Sequence, residues 1–491
     1  MTALAENSAP STTVYAGTLP VGLVRVKAGQ PSRKQGAIFF NFGGPGANPI
    51  DILPGMVYLW SMSAANDPLD GDTRRLSDQY DLVAVIPRGL EGSTPVHCPG
   101  LDVHDPRFNA DDDRQWVKMI DGSKRASEAC SDWRRQFMGT QHHVGDMELA
   151  RRALGEPVMN FLGYSYGTWV GAAYAATFPQ YAGRIVLDSS MNYSGTFEDQ
   201  LNAGAPERQS MFHRFALAPA VSDARYGLGS DGGAVLERIR QLPPRALASW
   251  VYAVKSPEDL VAVLVMGEWL RHEPKIDSAR LLDLIRSRHF SQTEELDTAI
   301  RDRAIDLAPL LGTVPSHVDE AVYTAVICGD TPWRNDAGSL RAMAQSHMAL
   351  YPAAASNHIS LGLLCRNWPF PTRWRPSLTE LAKAPPLLIV QAEFDPATPL
   401  ALARKAFIAS PGAYMVVALG MNDHGVFGSS AAPCAEQAVS RYLLAGELPK
   451  KRFSACPFEA RPAGRVEREA QDGRSIEDEV RARIRTLLRR S

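Results

Sequence analysis

Short apolar runs bounded by glycine, proline and aspartate recur along the first 190 residues. Val21–Val26, Ala37–Asn41, Tyr80–Ile86, Val158–Leu162 and Arg184–Asp188 are such runs. Continuous apolar runs of this length suit strands buried on both faces, the habit of parallel sheets. Between them, stretches such as Asp146–Leu154 and Thr168–Thr177 carry helical spacing. Alternating strand and helix predicts an α/β fold, a mostly parallel doubly wound sheet. The pattern changes near Met191. Helical spacing then covers Ala234–Leu242, Pro257–Leu270, Ser278–Arg288, Glu294–Leu307, Val318–Cys328 and Ser339–Leu350. Strand-like runs return at Pro386–Gln391 and Tyr414–Leu419. The expected organisation is a core part over 1–190, a helical cap over 191–375, a second core part over 376–460 and a tail over 461–491. In the tail, Ile476, Val480, Ile484 and Leu487 or Leu488 recur at helical spacing among arginines. That predicts a basic amphipathic helix, suited to docking on the body or on a second copy of the chain.

Composition narrows the class. The 491 residues would fill about three domains of ordinary size, so one large domain with an insertion fits. Hydrophobic residues at 45% and charged residues at 22% are ordinary for a globular protein and exclude a disordered or fibrous chain. Lys plus Arg is 52 and Asp plus Glu is 54, a net charge of −2. No global basic field draws the chain to nucleic acid or an anionic membrane. No apolar run of about 18 residues occurs, so no membrane span is expected. The start lacks the charged and apolar regions of a signal peptide. Ala3-Leu4-Ala5 reads either as the end of a trimmed leader or as a chance string at a disordered start. The six cysteines, Cys98, Cys130, Cys328, Cys365, Cys434 and Cys456, form no C-x-x-C pair, which argues against zinc or thioredoxin-like chemistry; 15 pairings remain open. No metal and no cofactor is expected.

The chemistry concentrates at three places. Gly163-Tyr164-Ser165-Tyr166-Gly167 is a G-x-S-x-G motif between an apolar strand and a small-residue helix, the context of a nucleophile elbow. A serine hydroxyl needs a base oriented by an acid, and in this fold the chain order is Ser, acid, His. Past the insertion, the run ending at Gln391 leads into Glu393-Phe394-Asp395, and Tyr414–Leu419 leads into Asn422-Asp423-His424. His424 is the only histidine after His358. Asp395 is the expected orienter, with Glu393 its competitor; Asp423 is too close in sequence to orient His424. The developing oxyanion needs preorganised N–H donors. Tyr166, following the nucleophile, is one, and Gly43 and Gly44 in Gly43-Gly44-Pro45-Gly46 supply the other. A phosphate-binding loop is disfavoured, because no Lys-Ser/Thr follows it.

These residues together resemble a known family. Asn41-Phe42-Gly43-Gly44-Pro45-Gly46 resembles the oxyanion loop of proline iminopeptidases and bacterial tripeptidyl aminopeptidases. Tyr80-Asp81-Leu82-Val83 through Pro87-Arg88-Gly89, Ser93-Thr94-Pro95, Cys98, and Ala153–Pro157 leading into the G-x-S-x-G motif are similar too. So are Gln391, Asp395–Pro399, His424-Gly425, Cys434, Tyr442-Leu443, Gly446, Leu448-Pro449 and Cys456. The resemblance spans about residues 35 to 460. It implies an α/β-hydrolase fold with a helical cap, the triad Ser165, Asp395 and His424, release of short N-terminal peptides, and a secreted or cell-envelope setting. It also implies disulfides Cys98–Cys130, Cys328–Cys365 and Cys434–Cys456. Three features depart from it. Glu91 stands where the family usually has a base, Met421-Asn422-Asp423 replaces small residues before His424, and the basic tail is foreign.

A serine exopeptidase is the first expectation. It requires something to hold the substrate's free amine, and Glu198, Asp199 and Glu207 are the candidates, solvated charge being their other reading. An esterase or amidase for a non-peptide small molecule is the alternative, since a fold does not dictate a substrate. Trp269, Trp333 and Trp368 would then line an apolar pocket or else sit in ordinary core. A non-catalytic scaffold would show a missing triad member, and none is missing.

Overall fold

A computed structural model of the chain describes residues 2–4, 18–67, 71–98, 109–129, 132–311, 319–354, 357–371, 374–429 and 432–457. Cys130 and the expected tail helix lie outside the described residues. Strands β1 (Thr2–Leu4) and β2 (Thr18–Pro20) form a two-stranded antiparallel pair. The main sheet has eight strands: β3 (Leu23–Val26), β4 (Gly36–Asn41), β5 (Tyr80–Val85), β6 (Met159–Tyr164), β7 (Ala182–Asp188), β8 (Leu388–Ala392), β9 (Tyr414–Leu419) and β10 (Phe453–Pro457). Their order is β10-β9-β8-β7-β6-β4-β5-β3, parallel throughout except for the antiparallel edge strand β3. This is the α/β-hydrolase fold.

Alternation along each central strand feeds two cores. Phe39, Phe161, Leu187 and Ile389 face one cluster, with the helices Thr140–Ala153 and Tyr166–Thr177. Ile38, Leu162, Val186 and Val390 face the other, with Pro49–Met62 and Pro433–Ala445. Both sides of each strand are therefore apolar, which is why these runs are continuous in the sequence. β10 is different. Its five residues are mostly exposed, so its apolar pattern is too weak to mark it as a strand.

The helices between β7 and β8 fall into two groups. Residues from Phe212 to Leu311 close around their own core, centred on Trp250, Leu260, Leu281 and Ile300. The helices Glu320–Gly329 and Asn357–Arg366 instead send Val322, Val326, Cys328, Leu364 and Cys365 into the core beside the sheet. Cys328 is bonded to Cys365, tying these two helices together, and Cys434 to Cys456, tying the last helix to β10. Cys98 is disulfide-bonded as well. Among the described residues, no helix is long and apolar enough to cross a membrane.

Candidate active site

Parallel strands in register place their carboxyl ends along one edge. Asn41 lies beside Gly163, Tyr164 beside Asp188, Asp188 beside Val390, and Ala392 beside Ala418. The loops that follow carry Gly43, Ser165, Asp395 and His424. Ligands of open α/β sheets bind along such an edge.

Ser165 joins β6 to the helix Tyr166–Thr177 with φ 57° and ψ −122°. This conformation is costly for a residue with a Cβ and persists only where its surroundings impose it. Here the Ser165 N–H donates to the Asp188 carbonyl at 3.0 Å, and its carbonyl accepts the Thr168 hydroxyl at 2.6 Å. At Gly167 a Cβ would stand 2.4 Å from the Asn41 carbonyl, so the elbow could not pack against β4 with any larger residue.

The glycine loop lies against this elbow. Gly43 has φ 81°, and a Cβ there would be 2.9 Å from the Ser165 Cβ and 3.2 Å from the Tyr166 nitrogen. Tyr166 opens its helix, so its N–H has no carbonyl one turn back. The Gly43 N–H already donates to Asn41 Oδ1 at 3.0 Å, which leaves Gly44 as the loop's candidate donor. Asn41 is held in turn by His143, whose Nε2 is 3.0 Å from Asn41 Nδ2. The amide nitrogen can only donate, so Nε2 is the acceptor. Burial, then the nearby Arg88 charge, lowers the His143 pKa to about 4, which keeps the ring neutral and able to accept.

His424 meets Asp395. Its Nδ1 is 2.9 Å from each carboxylate oxygen. Asp395 also accepts N–H groups from Ala397 at 2.9 Å and Thr398 at 2.7 Å, and the Thr398 hydroxyl at 2.9 Å. Burial alone would raise its pKa, but the His424 charge and these donors outweigh it and hold the carboxyl below the usual range. The fully buried Gln391 reaches Asp395 and Thr398 from β8 and accepts the Ser190 N–H. Among the described residues His424 Nε2 is buried without a hydrogen-bond partner. Glu393 goes elsewhere, accepting the Gly420 N–H at 2.8 Å. Asp423 pairs with Lys255 at 3.0 Å.

The structure brings Ser165, Gly43, Gly44 and Tyr166 together, and Asp395 with His424. The other expected site residues make contacts of their own. Glu198 is buried and accepts the backbone N–H groups of Arg334 and Asn335. Asp199 closes a capping box with Thr196. Glu207 is half-buried on the helix Gly204–Phe212, beside Arg208, which donates to the Pro396 carbonyl at 3.3 Å. Glu91 is largely in solvent, facing His97. Trp269 and Trp368 are core, Trp368 under the Arg135 guanidinium, and Trp333 packs against the same core and donates to the Ile327 carbonyl. His143 and Asp188 carry no motif that marks them as functional. A paired His142-His143 and an aspartate ending a strand are their only marks.

Sheet order and the loops along this edge define the class: the chain has the α/β-hydrolase fold. Residues 351–456 match the model of the family described as TAP-like protein. Over 448 residues the chain is 28% identical to the tripeptidyl aminopeptidase of Streptomyces lividans, covering 87% of this chain and 78% of that protein. It is 24% identical over 440 residues to the serine protease Hip1 of Mycobacterium tuberculosis, covering 85% and 80%. It is 27% identical over 468 residues to carboxylesterase B of the same species, covering 89% and 82%.

Proposed function

We propose that this hydrolase is a serine exopeptidase releasing short peptides, such as tripeptides, or single residues from peptide N-termini. One observation carries the reading. His424 turns Nδ1 onto Asp395 and leaves Nε2 buried and unpartnered, while its loop is pinned to the same Asp188 whose carbonyl holds the Ser165 elbow. The Ser165 hydroxyl attacks the scissile carbonyl carbon and passes its proton to His424 Nε2. The oxyanion takes N–H donors from Gly44 and Tyr166. Collapse breaks the C–N bond, and His424 returns the proton to the leaving amine. Water then repeats the sequence on the acyl-enzyme, and Asp395 holds the imidazolium throughout.

Similarity to a tripeptidyl aminopeptidase and a serine protease supports a peptide substrate. Glu207 is the remaining candidate for the substrate amine, because Glu198 and Asp199 are committed to backbone groups. The disulfides support an oxidising setting, secreted or in the cell envelope. Similarity to a carboxylesterase supports the second reading, an esterase with the same machinery.

Fluorophosphonate labelling of the wild-type protein, lost in Ser165→Ala, tests the nucleophile. A peptide-library digest read by mass spectrometry tests the substrate, with products leaving from free N-termini. Fast turnover of p-nitrophenyl esters with no peptide cleavage would replace the peptidase reading with the esterase one.

A further inference from the structure

Asp188 is a buried carboxylate that the catalytic sequence above does not use. It ends β7, the strand between the nucleophile strand β6 and the acid strand β8. Its backbone carbonyl accepts the Ser165 N–H. Its Oδ1 is 2.9 Å from the Val426 nitrogen and its Oδ2 is 2.7 Å from that of Phe427, two and three residues past His424. The next residue, Ser189, has φ 54°. Its Oγ accepts the Gly425 N–H at 2.8 Å and donates to Asp188 Oδ1 at 3.1 Å. Its N–H donates to the Val390 carbonyl. Two consecutive residues thus tie the nucleophile elbow, the acid strand and three successive amides of the base loop.

Resting on the Ser165–His424 reading, we infer that Asp188 is a positioning residue, its carboxylate holding the His424 loop in register with Ser165. A carboxylate suits three converging donors, whereas the neutral acid has one oxygen that is a poor acceptor. Burial pushes the Asp188 pKa up to about 7, against the lowering pull of the Phe427 and Val426 amides, the Ser189 hydroxyl and the His424 charge. The other groups facing this corner are Tyr164, whose hydroxyl donates to the Phe427 carbonyl, and Glu436, which accepts the Gly428 N–H. The clamp therefore strengthens as pH rises through about 7.

The sign for stability is opposite. A carboxyl whose pKa is raised in the fold contributes stability below its unfolded value, and that contribution is lost as pH rises through about 7. Charging Asp188 tightens the site while costing the fold.

The test measures the fluorophosphonate labelling rate of the full chain against pH. In the wild type, protonation of Asp188 below about pH 7 adds to the acid limb and steepens it. Asp188→Asn is expected to label about 10- to 100-fold more slowly at pH 8, with a shallower limb. Wild-type labelling in Asp188→Asn, or slower labelling with the wild-type limb unchanged, overturns the inference. If Asp188→Asn does not fold, Ser189→Ala takes its place, and unchanged labelling there overturns it. Absence of labelling in the wild-type protein would instead defeat the Ser165–His424 reading itself.

Discussion

The loops at the carboxyl edge of the sheet and the helical insertion that reaches them are held by different kinds of contact. Around Ser165, Asp395 and His424 the contacts are short, buried hydrogen bonds in which a carboxylate or amide side chain takes several N–H groups at once. Asp188, Asp395, Asn41 and Gln391 all work this way. The part of the insertion from Phe212 to Leu311 has its own apolar core, and the insertion meets those loops through polar and ring contacts. Lys255 pairs with Asp423, Arg208 reaches the Pro396 carbonyl, and Phe394 packs against Phe215 and the Arg214 guanidinium. Buried directional bonds fix atoms to fractions of an ångström, as catalysis requires. Partly exposed ion pairs and ring contacts hold a surface in place while letting it move. On the function proposed above, chemistry belongs to the first region and access to the second.

Substitutions should separate the two regions. The largest effect is expected for Asp395→Asn, about 10⁴-fold in kcat, the size of loss produced by a wrongly held imidazole tautomer. Glu393→Gln should leave turnover within about twofold, because its carboxylate serves the Gly420 amide. Next is stability. Replacing Cys328 and Cys365 by serine removes a bond across 37 residues, worth about 3–4 kcal/mol on the loop-closure estimate. Calorimetry should show a lower Tm, with labelling unchanged while the protein stays folded. Asn41→Ala frees the glycine loop and should lower kcat about 10²-fold, comparable to losing one oxyanion donor, with a smaller change in KM. The smallest effect is expected for Lys255→Ala. A pair this exposed contributes at most about 1 kcal/mol, so kcat should change less than about fivefold, and salt should shrink the wild-type value toward the variant's. A large, salt-independent loss at Lys255 would place it with the chemistry and break the comparison.

Much of this was legible in the residues. The central strands read clearly because burial on both faces leaves unbroken apolar runs. The insertion's helices, such as Glu294–Leu307 and Pro257–His272, read clearly because each packs one face on a shared core. Ser165, Asp395 and His424 follow strand ends in the order that the fold dictates. The supporting residues were harder. Asp188 acts through a carboxylate that meets amides 238 and 239 positions away, and no local pattern encodes such a pairing. The same holds for His143 and Asn41, 102 positions apart. Glu198 is a related case. Its carboxylate accepts the amides of Arg334 and Asn335, 136 and 137 positions away. Which of Gly43 and Gly44 offers its N–H depends on a side chain two residues back, which a glycine count cannot show.

The register of β7 against β8 has a consequence for how the chain can be altered. Asp188 sits beside Val390, and the Ser189 N–H bonds the Val390 carbonyl. The chain leaves the sheet and returns to it at adjacent points, so everything between is, to the core, one closed loop. The entropy of closing such a loop grows only logarithmically, with each doubling of length costing about 0.6 kcal/mol. A shorter, longer or foreign insertion would burden the sheet little, provided that the segment restores the apolar contacts that Val322, Val326 and Leu364 now make. The residues from Phe212 to Leu311, which close around their own core, are the part of that loop whose exchange would disturb the sheet least.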